Sequence, residues 1–255
     1  MPQRRFRRAV VLSLLVGSLL ASAQQPPSGI TAYPVQIYLS PKARSALLTL
    51  RNQTREEMRF QLSVFAWQQD PQGEMQLSPT EDIVFFPRLL ILPAGAERKI
   101  RVGSVTPVAP TEKTYRLMVE QLPPMKKADP EEGIQIRMLT HMGIPIFLLP
   151  AKPVARAGLE ALAVRAGRFS FQVKNEGNAH FMVQKIVVRG YGAAKEVLFA
   201  REIAGWYVLA GGLRVYELEL PAAECPRVKT LGVEVKTDRE VFGKSLAMPP
   251  DGCKH

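Results

Sequence analysis

Apolar and polar residues alternate one by one along most of this chain, the period of a β-strand with one buried face. Ser45-Ala-Leu-Leu-Thr-Leu-Arg51 predicts a strand, followed by an Asn52-Gln53-Thr54 turn. Met58–Trp67 predicts the next, with Phe60, Leu62 and Val64 on one face and the turn signal Asp70-Pro71-Gln72-Gly73 behind it. Further strands are expected at Glu97–Gly103, after Pro93-Ala94-Gly95, and at Thr114–Leu122, closed by Pro123-Pro124. A long extended run, Ile134–Leu149, follows the charged loop Lys126–Gly133 and ends at Pro150. Leu149-Pro150-Ala151-Lys152-Pro153 reads as a stiff linker. The pattern then restarts at Gly167–Asn175, Phe181–Arg189, Val197–Ile203, Leu213–Leu220 and Val228–Val235. The two halves echo each other: Leu48-Thr-Leu-Arg-Asn52 with Phe60-Gln-Leu, and Phe171-Gln-Val-Lys-Asn175 with Phe181-Met-Val. Turn signals roughly every 8–12 residues mark sandwiches, so the expected fold is all-β, with two sandwiches of similar design.

Composition agrees and narrows the class. The 21 prolines among 255 residues break long helices, which excludes a helical bundle. With 46% hydrophobic and 22% charged residues the chain is neither disordered nor collagen-like. Its start, MPQRRFRRAVVLSLLVGSLLASAQQ, sets four arginines before the apolar run Ala9–Leu20 and the small residues Ala21-Ser22-Ala23. This pattern predicts a signal peptide over residues 1–23, cleaved after Ala23, and an exported mature chain. Cleavage lowers the formal charge of +11 by four. No dense Lys/Arg run accompanies the charge that stays, so nucleic acid is not an expected partner. Cys225 and Cys253 would meet oxidising conditions after export; a disulfide between them and two free buried thiols are the two readings.

The residue types that carry catalysis are sparse. Three histidines and two cysteines leave little for a metal site, and no metal or cofactor is expected. His141 lies in an apolar strand and His180 after a turn, neither within a nucleophile or metal motif. Glu81-Asp82 and Glu131-Glu132 read as solvated loops, and Gly190-Tyr191-Gly192 as a turn. Trp67, Phe65, Phe147 and Phe171 are expected in the sandwich cores, and Asn52 and Asn175 in side-chain bonds to their turns. The unusual feature is the run Gly133–Pro150, long for a strand, with Ile134, Ile136, Met138 and Thr140 on one face. It reads either as a core strand or as an edge offered to another protein.

The order and spacing of several fragments resemble the PapD-like periplasmic pilus-assembly chaperones over nearly the whole mature chain. These are Tyr33-Pro34 with Leu39-Ser40-Pro41, Leu48–Asn52, Phe86-Pro87, Leu92-Pro93-Ala94-Gly95 with Ile100-Arg101-Val102-Gly103, Tyr115-Arg116-Leu117 with Glu120-Gln121-Leu122-Pro123-Pro124, Gly143-Ile-Pro-Ile-Phe147 and Asn175-Glu-Gly-Asn178. Gly143–Phe147 and Arg101 look most like the archaic branch that serves spore-coat-U-type pilins. The resemblance implies two immunoglobulin-like sandwiches set as an L, residues 24–150 and 151–255. It also implies donor-strand complementation, in which residues near Gly133–Thr140 fill the groove of a pilin that lacks its last strand, with Ile134, Ile136, Met138 and Thr140 entering it. An outer-membrane usher would then receive the subunit, without any cofactor.

The same family anchors the subunit's C-terminal carboxylate with basic residues. Here the family's usual arginine and lysine fall on Gln36 and Pro145, and the usual basic residue before the linker falls on Leu149. The archaic pattern places an arginine at Arg116, with Arg101 as the second candidate. Whether the free protein caps its own exposed strand by dimerising stays open. The rival readings are an exported adhesion or ligand-binding module and a secreted hydrolase using His141 or His180.

Overall fold

The computed structural model describes residues 29–125 and 138–253. Their regular structure is strand throughout, apart from a 3-10 turn at Cys225–Arg227. Ten strands form the first half. β1 (Ile30–Tyr33), β3 (Ser45–Asn52), β8 (Glu97–Ser104) and β6 (Ile83–Phe86) make one sheet in the order β1-β3-β8-β6. The second sheet runs β2 (Ile37–Leu39), β10 (His141–Leu148), β9 (Lys113–Leu122), β4 (Met58–Gln69) and β5 (Met75–Pro79), with β7 (Leu89–Leu92) also on β4. Alternation sends Leu48, Leu50, Ile100 and Val102 of one sheet against Phe60, Leu62, Leu117 and Val119 of the other, closing a core.

The second half repeats the plan. One sheet is β11 (Ala157–Arg165), β12 (Arg168–Asn175) and β16 (Leu213–Glu219). The other is β14 (Val197–Ala204), β13 (Phe181–Tyr191), β17 (Thr230–Thr237) and β18 (Val241–Ala247), with β15 (Tyr207–Val208) on β13. Phe169, Phe171, Phe181, Ile186, Val188 and Val235 fill its core. Cys225 and Cys253 are joined by a disulfide, their Cα atoms 5.9 Å apart, against this core.

The echo between the halves has a structural meaning. Asn52 and Asn175 end equivalent strands, and both are fully buried. Asn52 Nδ2 donates to the carbonyls of Glu56 and Leu92, and its Oδ1 accepts from the amide of Thr54. Asn175 Nδ2 donates to the carbonyls of Ala179 and Val208, and its Oδ1 accepts from the amide of Gly177. Each amide fastens its own turn to a second strand, β7 in one half and β15 in the other.

The sandwiches meet through buried groups. Glu112, at the entrance of β9, hydrogen-bonds His180 Nδ1 at 2.8 Å, and both side chains are shielded from water. Asn178 donates from Nδ2 to the carbonyls of Pro110 and Lys152, while its own carbonyl accepts from the amide of Glu112. Trp67, Phe147 and Tyr207 form a third apolar cluster that belongs to neither core. This corrects the expectation for Trp67 and Phe147: odd-numbered residues of β4 face away from the first core, so Trp67 meets the second half instead. Phe65 lies on that outer face as well, only partly buried, and is in neither core. Phe171 is core as expected.

Removing the Asn175 side chain strands two buried carbonyls and an amide. Asn175→Ala is expected to lower unfolding stability by about 1–3 kcal/mol in urea denaturation, with Asn175→Asp failing to restore it.

Candidate functional site

The outer face of the β2-β10-β9-β4 sheet gathers the side chains of interest. Register places Phe65 of β4 opposite Arg116 of β9, and Arg116 opposite Pro145 of β10. Paired residues point to the same face. Strand β2 runs parallel to β10 with Ile37 opposite Ile146, so Gln36, one residue earlier, falls in the same row as Pro145.

Arg116 is buried, 6% exposed. Its Nη1 donates to the carbonyl of Gly143 at 3.0 Å, which ties the guanidinium to β10. The guanidinium carbon lies 4.0 Å from the Trp67 ring centroid and 5.1 Å from that of Trp206. Nε and Nη2 are buried and have no hydrogen-bond partner among the described residues. Burial pulls the guanidinium below its ordinary pKa, opposed in part by Tyr207. An arginine stays charged under such a shift. Around it, Gln36 Nε2 donates to the Tyr207 hydroxyl and Tyr38 donates to Gln36 Oε1. Burial holds the Tyr207 hydroxyl above the usual phenol range, against the Gln36 hydrogen bond and the Arg116 charge.

A half-satisfied buried cation is unusual, because each unpaired charged donor costs free energy. Nε–H and the adjacent Nη2–H form one edge of the guanidinium, the fork that matches the two oxygens of a carboxylate. The chemistry of that edge suits an anion with paired acceptors.

Beside it, β10 presents an open edge. β9 pairs with His141–Leu148 on one side, but β2 covers only Ile146–Leu148 on the other. Among the described residues, no strand pairs with His141–Pro145 on that side. Ile144 is buried in the first core and Met142 packs against it. Continuing that alternation towards the N-terminus reaches Thr140 and Met138. Thr140 still meets the end of β9, its carbonyl accepting from the amide of Gln121 and its amide donating to Gln121 Oε1. Met138 is 92% exposed, next to the 82% exposed Met125. The row that fills the core thus runs out of the sandwich. Among the described residues the strand begins at His141; Ile134 and Ile136 lie outside the described residues.

Other predicted residues go elsewhere. Arg101 sits in β8 of the opposite sheet, exposed, its Nη2 near Ser45 Oγ at 3.4 Å. The fold does not bring it to Arg116. His141 is exposed opposite Glu120, and His180 is held by Glu112 and stacked on Phe147 at 3.6 Å between ring centroids. The hydrogen bonds of His180 involve no nucleophile. Among the described residues no cluster of His, Cys, Asp or Glu is placed to hold a metal ion, and no helix is long and apolar enough to cross a membrane. Sequence reasoning missed Trp206, Tyr207 and Glu112; the only available signal was that Trp206 is one of two tryptophans.

Residues 29–153 match the family of pili and flagellar-assembly chaperones through its PapD N-terminal domain. The chain belongs to the PapD-like chaperones. Solved structures of other family members share the fold. One is the chaperone–tip adhesion subunit pre-assembly complex CsuC–CsuE from archaic Csu pili of Acinetobacter baumannii, with TM-score 0.58 and 16% identity over 85% of this chain and 98% of that one. Another is the Salmonella enterica SafA pilin in complex with the SafB chaperone, with TM-score 0.55 and 13% identity over 87% and 98%. The class 5 fimbriae chaperone CfaA gives 0.54 and 16% over 87% and 100%. No curated protein sequence matches the chain. In this PapD-like chain Gln36 and Pro145 share a row with Arg116.

A buried charge with free donors is a cost to the free protein. Arg116→Met is expected to leave the free protein as stable as the parent or about 1–2 kcal/mol more stable in urea denaturation. A loss above about 2 kcal/mol would mean that Arg116 serves the fold itself.

Proposed function

We propose that this protein is a periplasmic chaperone that captures pilus subunits by donor-strand complementation and delivers them to an outer-membrane usher. The observation that carries this reading is the Nε/Nη2 fork of Arg116, buried and without a hydrogen-bond partner among the described residues, beside the free edge of His141–Pro145. A subunit strand laid along His141–Pro145 gains backbone hydrogen bonds, and its terminal carboxylate reaches the fork. Each charge-assisted bond there is worth about 1.5–3 kcal/mol. Ile134, Ile136, Met138 and Thr140 complete the subunit's apolar groove. A fully buried Ile or Met contributes about 1.5–3 kcal/mol, before the cost of association. No nucleotide is needed, because the inserted strand supplies the folding energy.

The pattern of residues 1–23 supports export, and the oxidising periplasm suits the Cys225–Cys253 disulfide. We place the domain boundary at 150/151, between β10 and β11. Arg116 and Gly143–Phe147 favour the archaic branch.

The test is a tagged purification from the periplasm of cells that express pilins, with mass spectrometry of what co-elutes. A small pilin bound one-to-one is the expected result, and Arg116→Ala should weaken capture at least about tenfold while the free protein stays folded. A monomer without a pilin would favour the adhesion or ligand-binding module. Unchanged capture by Arg116→Ala would remove the anchor assignment.

A further inference from the structure

Arg116 belongs to the first sandwich, but one wall of its pocket does not. Trp206 precedes β15 in the second half, and it is the second of the two tryptophans in the chain. Both indoles lie against the same guanidinium, Trp67 at 4.0 Å and Trp206 at 5.1 Å from ring centroid to guanidinium carbon. Their own centroids are 5.7 Å apart, and Tyr207 packs against both, at 5.6 Å from Trp67 and 5.7 Å from Trp206. Trp67 is fixed from behind by Phe147 and is 1% exposed, whereas Trp206 is only partly buried.

The rings and the hydrogen bond constrain the guanidinium in complementary ways. Aromatic faces attract the cation and replace part of its lost hydration. They offer no acceptor, so they leave its N–H groups unused. Nη1 is committed to Gly143 on β10. The Nε/Nη2 edge is enclosed and has no hydrogen-bond partner among the described residues.

We propose that Trp206 is a positioning residue of the carboxylate anchor, holding the Arg116 fork in its receiving orientation from the second sandwich; this rests on the anchor reading of Arg116. The anchor is then completed only when the two sandwiches are docked. Trp206 contributes to subunit capture through Arg116 and not through contact of its own. Its effect should vanish when Arg116 is absent, which a purely structural role in domain docking would not do.

The experiment is a double-mutant cycle on the full chain with the pilin that co-purifies with it, reading the dissociation constant of the complex. Trp206→Ala is expected to weaken binding about tenfold when Arg116 is present and less than about twofold in the Arg116→Ala background. Trp206→Phe, which keeps an aromatic face, should restore most of the loss and serves if the alanine variant does not fold. Equal losses from Trp206→Ala in both backgrounds would overturn the proposal, as would no loss in either. If Arg116→Ala alone costs nothing, the anchor reading fails instead. If no pilin co-purifies, the chaperone reading and this proposal fall together.

Discussion

A guanidinium taken out of water with two of its nitrogens unpaired among the described residues is the constraint around which this structure is arranged. Among the described residues Arg116 regains one hydrogen bond, to Gly143, together with the faces of two indoles. Evolved cores seldom retain such an arrangement for stability, because an apolar side chain of similar volume would fill the space at lower cost. In the function proposed above, a partner's carboxylate completes this arrangement, and part of the affinity comes from that completion.

The surrounding fold explains how that deficit is maintained. β9 is a central strand, flanked by β10 and β4, so Arg116 has a rigid base. The third apolar cluster and the Glu112–His180 pair fix the second sandwich over it. Among the described residues, the same sheet that holds the cation leaves the first half of β10 unpaired on one side. Cation and open edge therefore share one strand pair, and a single bound segment can use both. Breaking the interdomain lock would loosen the aromatic lid without touching either sandwich core.

Much of this was legible in the sequence, for physical reasons. Strands with one buried face, such as β3, β4, β8 and β12, announce themselves by strict alternation, and their observed limits differ from the expected ones by a residue or two. The shared Asn turn read correctly because a buried side-chain amide has few other uses. Short edge strands escaped, β2, β5, β7 and β15 among them, because two to five residues carry too little pattern. Trp67 and Phe147 were misassigned because an apolar residue facing a neighbouring domain looks like a core residue in sequence. Arg116 could be singled out only by resemblance, since an arginine in a strand is usually solvated. Its two tryptophans, far apart in the chain, meet only through domain docking.

The most direct test of the central claim is hydrogen–deuterium exchange of the full chain, free and in complex with its co-purified pilin. Backbone amides in peptides covering residues 133–145 are expected to become strongly protected on binding, while those of β14 and β18 at the far sheet edges keep their free rates. Unchanged exchange over 133–145, with protection appearing at another edge, would contradict donor-strand capture at β10.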